Sequence, residues 1–188
     1  MAEPRNVTPG YTVVYPNRDK AASKATKGIV VLLLLISVAL MLVVTIGGWS
    51  KLQGLKPLNF AWCAVYLIFA FYVQVRWARG LLPIASALAV ILLILAVIAG
   101  TGYSGTSWFD RNQSGFAHAK SLFGGTGLNS DGLGLFTLLI APVQALLIIF
   151  AMRGFSQGWN VEQEVRGEDA DRRGGSRSAP PQAGPAPA

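Results

Sequence analysis

Cysteine and histidine each occur once in this 188-residue sequence, and charge is scarce: 13% of residues are Asp, Glu, Lys or Arg, against about 25% in soluble domains. The single cysteine, Cys63, sits inside an apolar run, so no intramolecular disulfide and no CxxC redox or zinc arrangement can form. Thiol oxidoreductases and disulfide-stapled membrane scaffolds are thereby excluded, and Cys63 reads as a small packing residue. One histidine, His118, is too few for a zinc ligand set or for haem held by paired intramembrane imidazoles. The sequence therefore assigns no metal and no cofactor. The long apolar runs contain no Asp, Glu, Lys, Arg or His. Such residues mark proton relays, ion paths and charged-substrate sites inside a bilayer, so a proton-coupled carrier is disfavoured. No basic run interleaved with aromatics points to nucleic acid, and no repeat links the apolar runs.

Hydrophobic side chains make up 52% of the chain, a composition that requires lipid as solvent. Four runs carry it. The first, residues 28–48, has 21 residues with Leu32–Ile36 and Leu40–Val44 at its heart; at about 1.5 Å per residue it covers roughly 30 Å, the hydrocarbon thickness. Its length, the long tail before it and the GGWSK after it, which lacks an A-x-A site, favour a retained anchor over a cleaved signal peptide. The second run, 58–75, opens after Pro57 and is rich in aromatics, with Trp62, Tyr66 and Phe69 sharing a face at helical spacing. The third, 81–99, follows so closely that the two must form an antiparallel hairpin. Its Ala85, Ala89, Ala96 and the adjoining Gly100 form a small-residue stripe suited to close helix packing. The fourth, 133–152, holds Pro142 near mid-depth, where a kink is expected. Two residues later comes Gln144, the deepest amide, which should seek a partner across a helix interface.

The fold expected is an all-α integral membrane protein of four transmembrane helices. Residues 1–27 read as a polar cytoplasmic tail and 153–188 as a second, disordered from about residue 166, with Trp159 on a short surface helix at the headgroups. With four crossings, twelve of the sixteen Lys and Arg fall on the side of the termini and four on the other. The positive-inside rule then places both termini in the cytoplasm, in a plasma or bacterial inner membrane, and the segment 100–132 outside.

That outward segment, between helices 3 and 4, has 33 residues, eight of them glycine, too many for a plain connection. Its aromatics Tyr103, Trp108, Phe109, Phe116 and Phe123 are expected to meet a partner protein or the headgroup boundary. Ser114 could cap a short interfacial helix over 115–123 with Gly124 as its stop. Asp110, Arg111, His118, Lys120 and Asp131, with several serines, can be drawn into a Ser/His/Asp set on paper, but nothing resembles a strand-turn-helix elbow. No catalytic residue is assigned.

These features support a non-catalytic accessory subunit or scaffold of a larger integral membrane complex, respiratory or cell-envelope, with the outward segment as its contact surface. Two alternatives compete. One is an oligomeric channel or facilitator for a neutral solute, lined by Gln144 beside the Pro142 kink. The other is an enzyme acting on lipid or cell-wall substrate at the outer leaflet.

Overall fold

The computed structural model describes residues 10–50, 52, 55–101 and 127–166. Among these, four helices are long and apolar enough to cross a membrane, and the described chain is mostly helical. In order the elements are β1 (Tyr11–Val14), α1 (Pro16–Asp19), α2 (Ala21–Gly47), α3 (Lys56–Arg76), α4 (Leu81–Thr101), α5 (Ser130–Ser156) and β2 (Gln163–Arg166).

Local chemistry sets the helix ends. Proline in the first turn opens α3, where its missing N–H leaves no bond unmade. Asn129 caps α5 by accepting from the Gly132 N–H at 2.9 Å. Trp77 ends α3 with a φ of 52°, a left-handed conformation that costs a non-glycine residue roughly 1–2 kcal/mol. Pro142 stands within α5 without ending it, on the exposed side of the helix.

The long helices run alternately up and down and pack side by side in the order α4, α5, α2, α3. α4 packs most extensively on α5, α5 on α2 and α2 on α3, whereas α3 and α4 meet only slightly despite being joined by a short turn. The main core is built from Val30, Leu34, Tyr66, Val73, Leu82, Ala89, Leu147 and their neighbours. A smaller cluster of Val44, Leu52 and Leu133 closes the far end. Outside lie large exposed hydrophobics on every long helix, among them Leu32, Phe71, Ile98 and Ile149. An apolar surface of that extent belongs in lipid.

The helices exceed the apolar runs at several ends, most of all in α2, which begins at Ala21 rather than residue 28. Residues 10–27, expected to form a polar tail, are instead structured. β1 pairs antiparallel with β2, with Tyr11 opposite Arg166 and Val14 opposite Gln163. The AASKATK stretch at the start of α2 is rich in good helix formers but not apolar, so hydropathy marks the bilayer crossing but not the full helix. The ribbon joins residues that precede the first long helix to residues that follow the last. Both segments therefore lie at the same end of the bundle.

Candidate functional site

Two constellations of polar side chains tie the bundle together, one in its interior and one at the end where the two tails meet.

The interior node is centred on Gln144 of α5. Its Nε2 donates to Ser37 Oγ of α2 at 2.7 Å, and its Oε1 accepts from the Tyr66 hydroxyl of α3 at 2.9 Å. Ser37 Oγ in turn donates to the Leu33 carbonyl at 2.7 Å. All three side chains are fully buried. Helix periodicity explains the convergence. Val30, Leu33, Leu34, Ser37, Val38 and Met41 are inward residues of the middle of α2, and Cys63, Tyr66, Ala70 and Val73 those of α3. One polar residue on each buried stripe lies at the same depth as the amide. Trp62 packs its ring edge-on to Tyr66, with centroids 6.4 Å apart. Towards the far end, Asn59 Nδ2 donates to Thr45 Oγ1 at 3.0 Å, a second link between α2 and α3.

The small residues proposed for packing lie along the α4–α5 contact. Ala85, Ala89 and Ala96 are buried and Gly100 is half-buried. A Cβ on Gly100 would come within 3.0 Å of the Leu138 backbone nitrogen and 3.1 Å of the Gly134 carbonyl oxygen. The buried hydroxyls of Ser86 and Thr137 have no hydrogen-bond partner. They stand on different helices, and nothing groups them into a site.

At the end carrying the tails, the turn after α5 folds back under the bundle. Gly158, at φ +62°, makes the turn, and Trp159 is carried to a fully buried position. There its ring meets Trp77 edge-on at 5.4 Å. It lies where a Cβ on Gly154 would be 3.0 Å from Trp159 Cζ2. Trp159 Nε1 donates to Gln157 Oε1 at 2.9 Å, and Gln157 Nε2 donates to Thr26 Oγ1 of α2 at 2.9 Å. The N-terminal segment clamps this turn from outside. Asn17 Nδ2 donates to the Gly158 carbonyl at 3.0 Å. Arg18 donates to the Trp159 carbonyl at 3.1 Å and to Asn160 Oδ1 at 3.0 Å. Trp159, expected at the headgroups on a surface helix, is thus an interior plug after the end of α5. Its indole finds a hydrogen-bond acceptor inside the protein, which removes the need for a wet boundary.

Sequence reasoning missed this clasp. Its one sequence signal is the Gly-Trp pair after a helix-breaking polar stretch, which reads equally well as an interfacial anchor. Tyr103, Trp108, Phe109, Phe116 and Phe123, together with the short helix expected over 115–123, lie outside the described residues. Among the described residues, no group of three or more His, Cys, Asp or Glu could hold a metal ion. No family model, curated protein or solved structure matches this chain.

Proposed function

We propose that the chain is a non-catalytic accessory subunit or scaffold of a larger integral membrane complex, with the aromatic-rich segment 100–132 as its contact surface. The observation that carries this reading is the state of Gln144. Its amide is bonded on both sides to Ser37 and Tyr66 and is fully buried, so the most distinctive polar group of the membrane region serves to join helices. A solute path lined by Gln144 would have to open the packed interior in which the side chain is fully buried. The buried polar residues of the described core are Ser, Thr and Gln, with no ionisable carboxylate, amine or imidazole among them, which suits a scaffold better than a carrier or an enzyme.

The same reading places both termini in the cytoplasm of a plasma membrane, of the bacterial inner type. Eight basic and three acidic side chains of the described residues gather at the end where the tails pair, against Lys56 and Asp131 at the other. The positive-inside rule orients such a molecule with its basic end inward.

Purification of the full chain in mild detergent tests the proposal. A stoichiometric integral membrane partner is expected, lost when Trp108 or Phe116 is replaced by alanine. Recovery of the chain alone, with neutral-solute flux in liposomes that falls on Gln144→Leu, would replace this reading with the channel.

A further inference from the structure

Two of the eight cations at the basic end are taken up within the protein. Arg18 is taken up by Trp159 and Asn160. Arg79 donates to the Phe155 carbonyl at 2.6 Å and lies over the Phe155 ring at 4.4 Å. Both hold the protein to itself.

Lys24, Lys27 and Arg76 are placed differently. Lys24 and Lys27 are three apart on α2 and so are neighbours on its surface, an unfavourable pairing of like charges. Lys24 meets Asp19 at 3.9 Å with both side chains more than half exposed, a pair too solvated to neutralise it effectively. Lys27 lies over the Trp77 ring at 4.0 Å and donates to the Gln74 carbonyl at 3.2 Å, which uses one of its three N–H groups. The same last turn of α3 carries Arg76, which is exposed. Lys24 and Lys27 on α2 and Arg76 in the last turn of α3 thus stand on two packed helices at the same end of the bundle, where it leaves the apolar region. On the adjoining outward surface of α3, Phe71, Tyr72 and Val75 are 60%, 45% and 57% exposed.

A cationic end above an apolar wall matches a molecule that is anionic at one end and hydrocarbon along the rest. We infer that Lys24, Lys27 and Arg76 seat the phosphate of an anionic phospholipid whose acyl chains lie along Phe71, Tyr72 and Val75. The Lys27 contact with Trp77 holds the ammonium at headgroup level before the lipid arrives. The site does not depend on any partner subunit.

Native mass spectrometry of the full chain, released from bilayers containing equal phosphatidylglycerol and phosphatidylcholine, reads the bound lipid directly. Enrichment of phosphatidylglycerol is expected, falling about fivefold for each cation removed in Lys24→Gln, Lys27→Gln and Arg76→Gln. Lys56→Gln, at the opposite end, should leave it unchanged. Arg76→Gln alone keeps the test decisive if the lysine variants fail to fold, because Arg76 lies outside the buried core. Equal enrichment in the wild type and the triple variant would overturn the assignment, and so would an equal loss in Lys56→Gln. Displacement of the lipid by millimolar inorganic phosphate would overturn it as well, by showing that the acyl chains contribute nothing.

Discussion

The Tyr66 hydroxyl and the Gln144 amide oxygen, 78 positions apart in sequence, meet at 2.9 Å in the fully buried centre of the bundle. Neither can turn to the surrounding hydrocarbon, which offers no hydrogen bonds. Tyr66→Phe should therefore cost about 0.6–2 kcal/mol, the range for bonds between membrane helices. Gln144→Leu should cost more, because it also removes the donor to Ser37. In the Gln144→Leu background the Tyr66→Phe change should cost almost nothing further. Reversible unfolding in mixed micelles measures all four corners of this cycle; additive losses would mean that the two side chains act independently.

Gly154 and Trp159 make a second tight fit. A larger side chain at 154 has no room, with Trp159 Cζ2 at 3.0 Å and Leu82 Cδ1 at 3.1 Å from the place a Cβ would take. Gly154→Leu should expel the indole and release the tail clasp while the four long helices persist. Limited proteolysis is expected to cut between residues 157 and 166 in the variant well before the wild type, with little change in helical circular dichroism. Unchanged protection of this segment would show that the clasp holds without the plug.

The contrast between these two places shows what could be read in advance. The four crossings are legible because about 20 consecutive apolar residues have one physical meaning in a bilayer. Gln144 is legible for the same reason, since an amide in hydrocarbon must find a partner; only the identity of Ser37 and Tyr66 needs the fold. The ribbon and the clasp are different. Tyr11–Val14 and Gln163–Arg166 are four residues each, too short to show a strand period. No turn signal links segments so far apart in the chain. Trp159 misleads because an indole is equally at home in a headgroup layer and in a core that supplies an acceptor, here Gln157. The start of α2 was hidden by the polar AASKATK stretch, whose alanines and lysines favour helix without favouring lipid.

The ribbon itself can be trapped by oxidation. Thr12 and Val165 are direct antiparallel partners, and such pairs have Cα separations of roughly 4.5–5.5 Å, within the usual disulfide range of about 4.4–6.8 Å. With Cys63 changed to alanine, Thr12→Cys combined with Val165→Cys should form a disulfide in the native membrane. Val13→Cys with Val165→Cys should not, because the two side chains fall on opposite faces of the ribbon. Non-reducing electrophoresis after cleavage between the helices separates the outcomes. Equal cross-linking of both pairs would indicate that the register is not held.

Two glycines inside helices should respond to alanine with opposite sign. At Gly28 a Cβ would meet nothing within 4 Å, so Gly28→Ala should follow helix propensity alone and stabilise the protein by roughly 0.5–1 kcal/mol. At Gly100 the same methyl would lie 3.0 Å from both the Leu138 backbone nitrogen and Leu138 Cβ and 3.1 Å from the Gly134 carbonyl. Two of these three atoms are backbone, so no rotamer change relieves the contact and α4 must move away from α5. Overpacking of this kind costs about 1–3 kcal/mol, enough to outweigh the gain in propensity. Thermal unfolding of the two single variants in one detergent gives the comparison. A rise in melting temperature for Gly100→Ala equal to that for Gly28→Ala would mean that α4 and α5 do not approach so closely there.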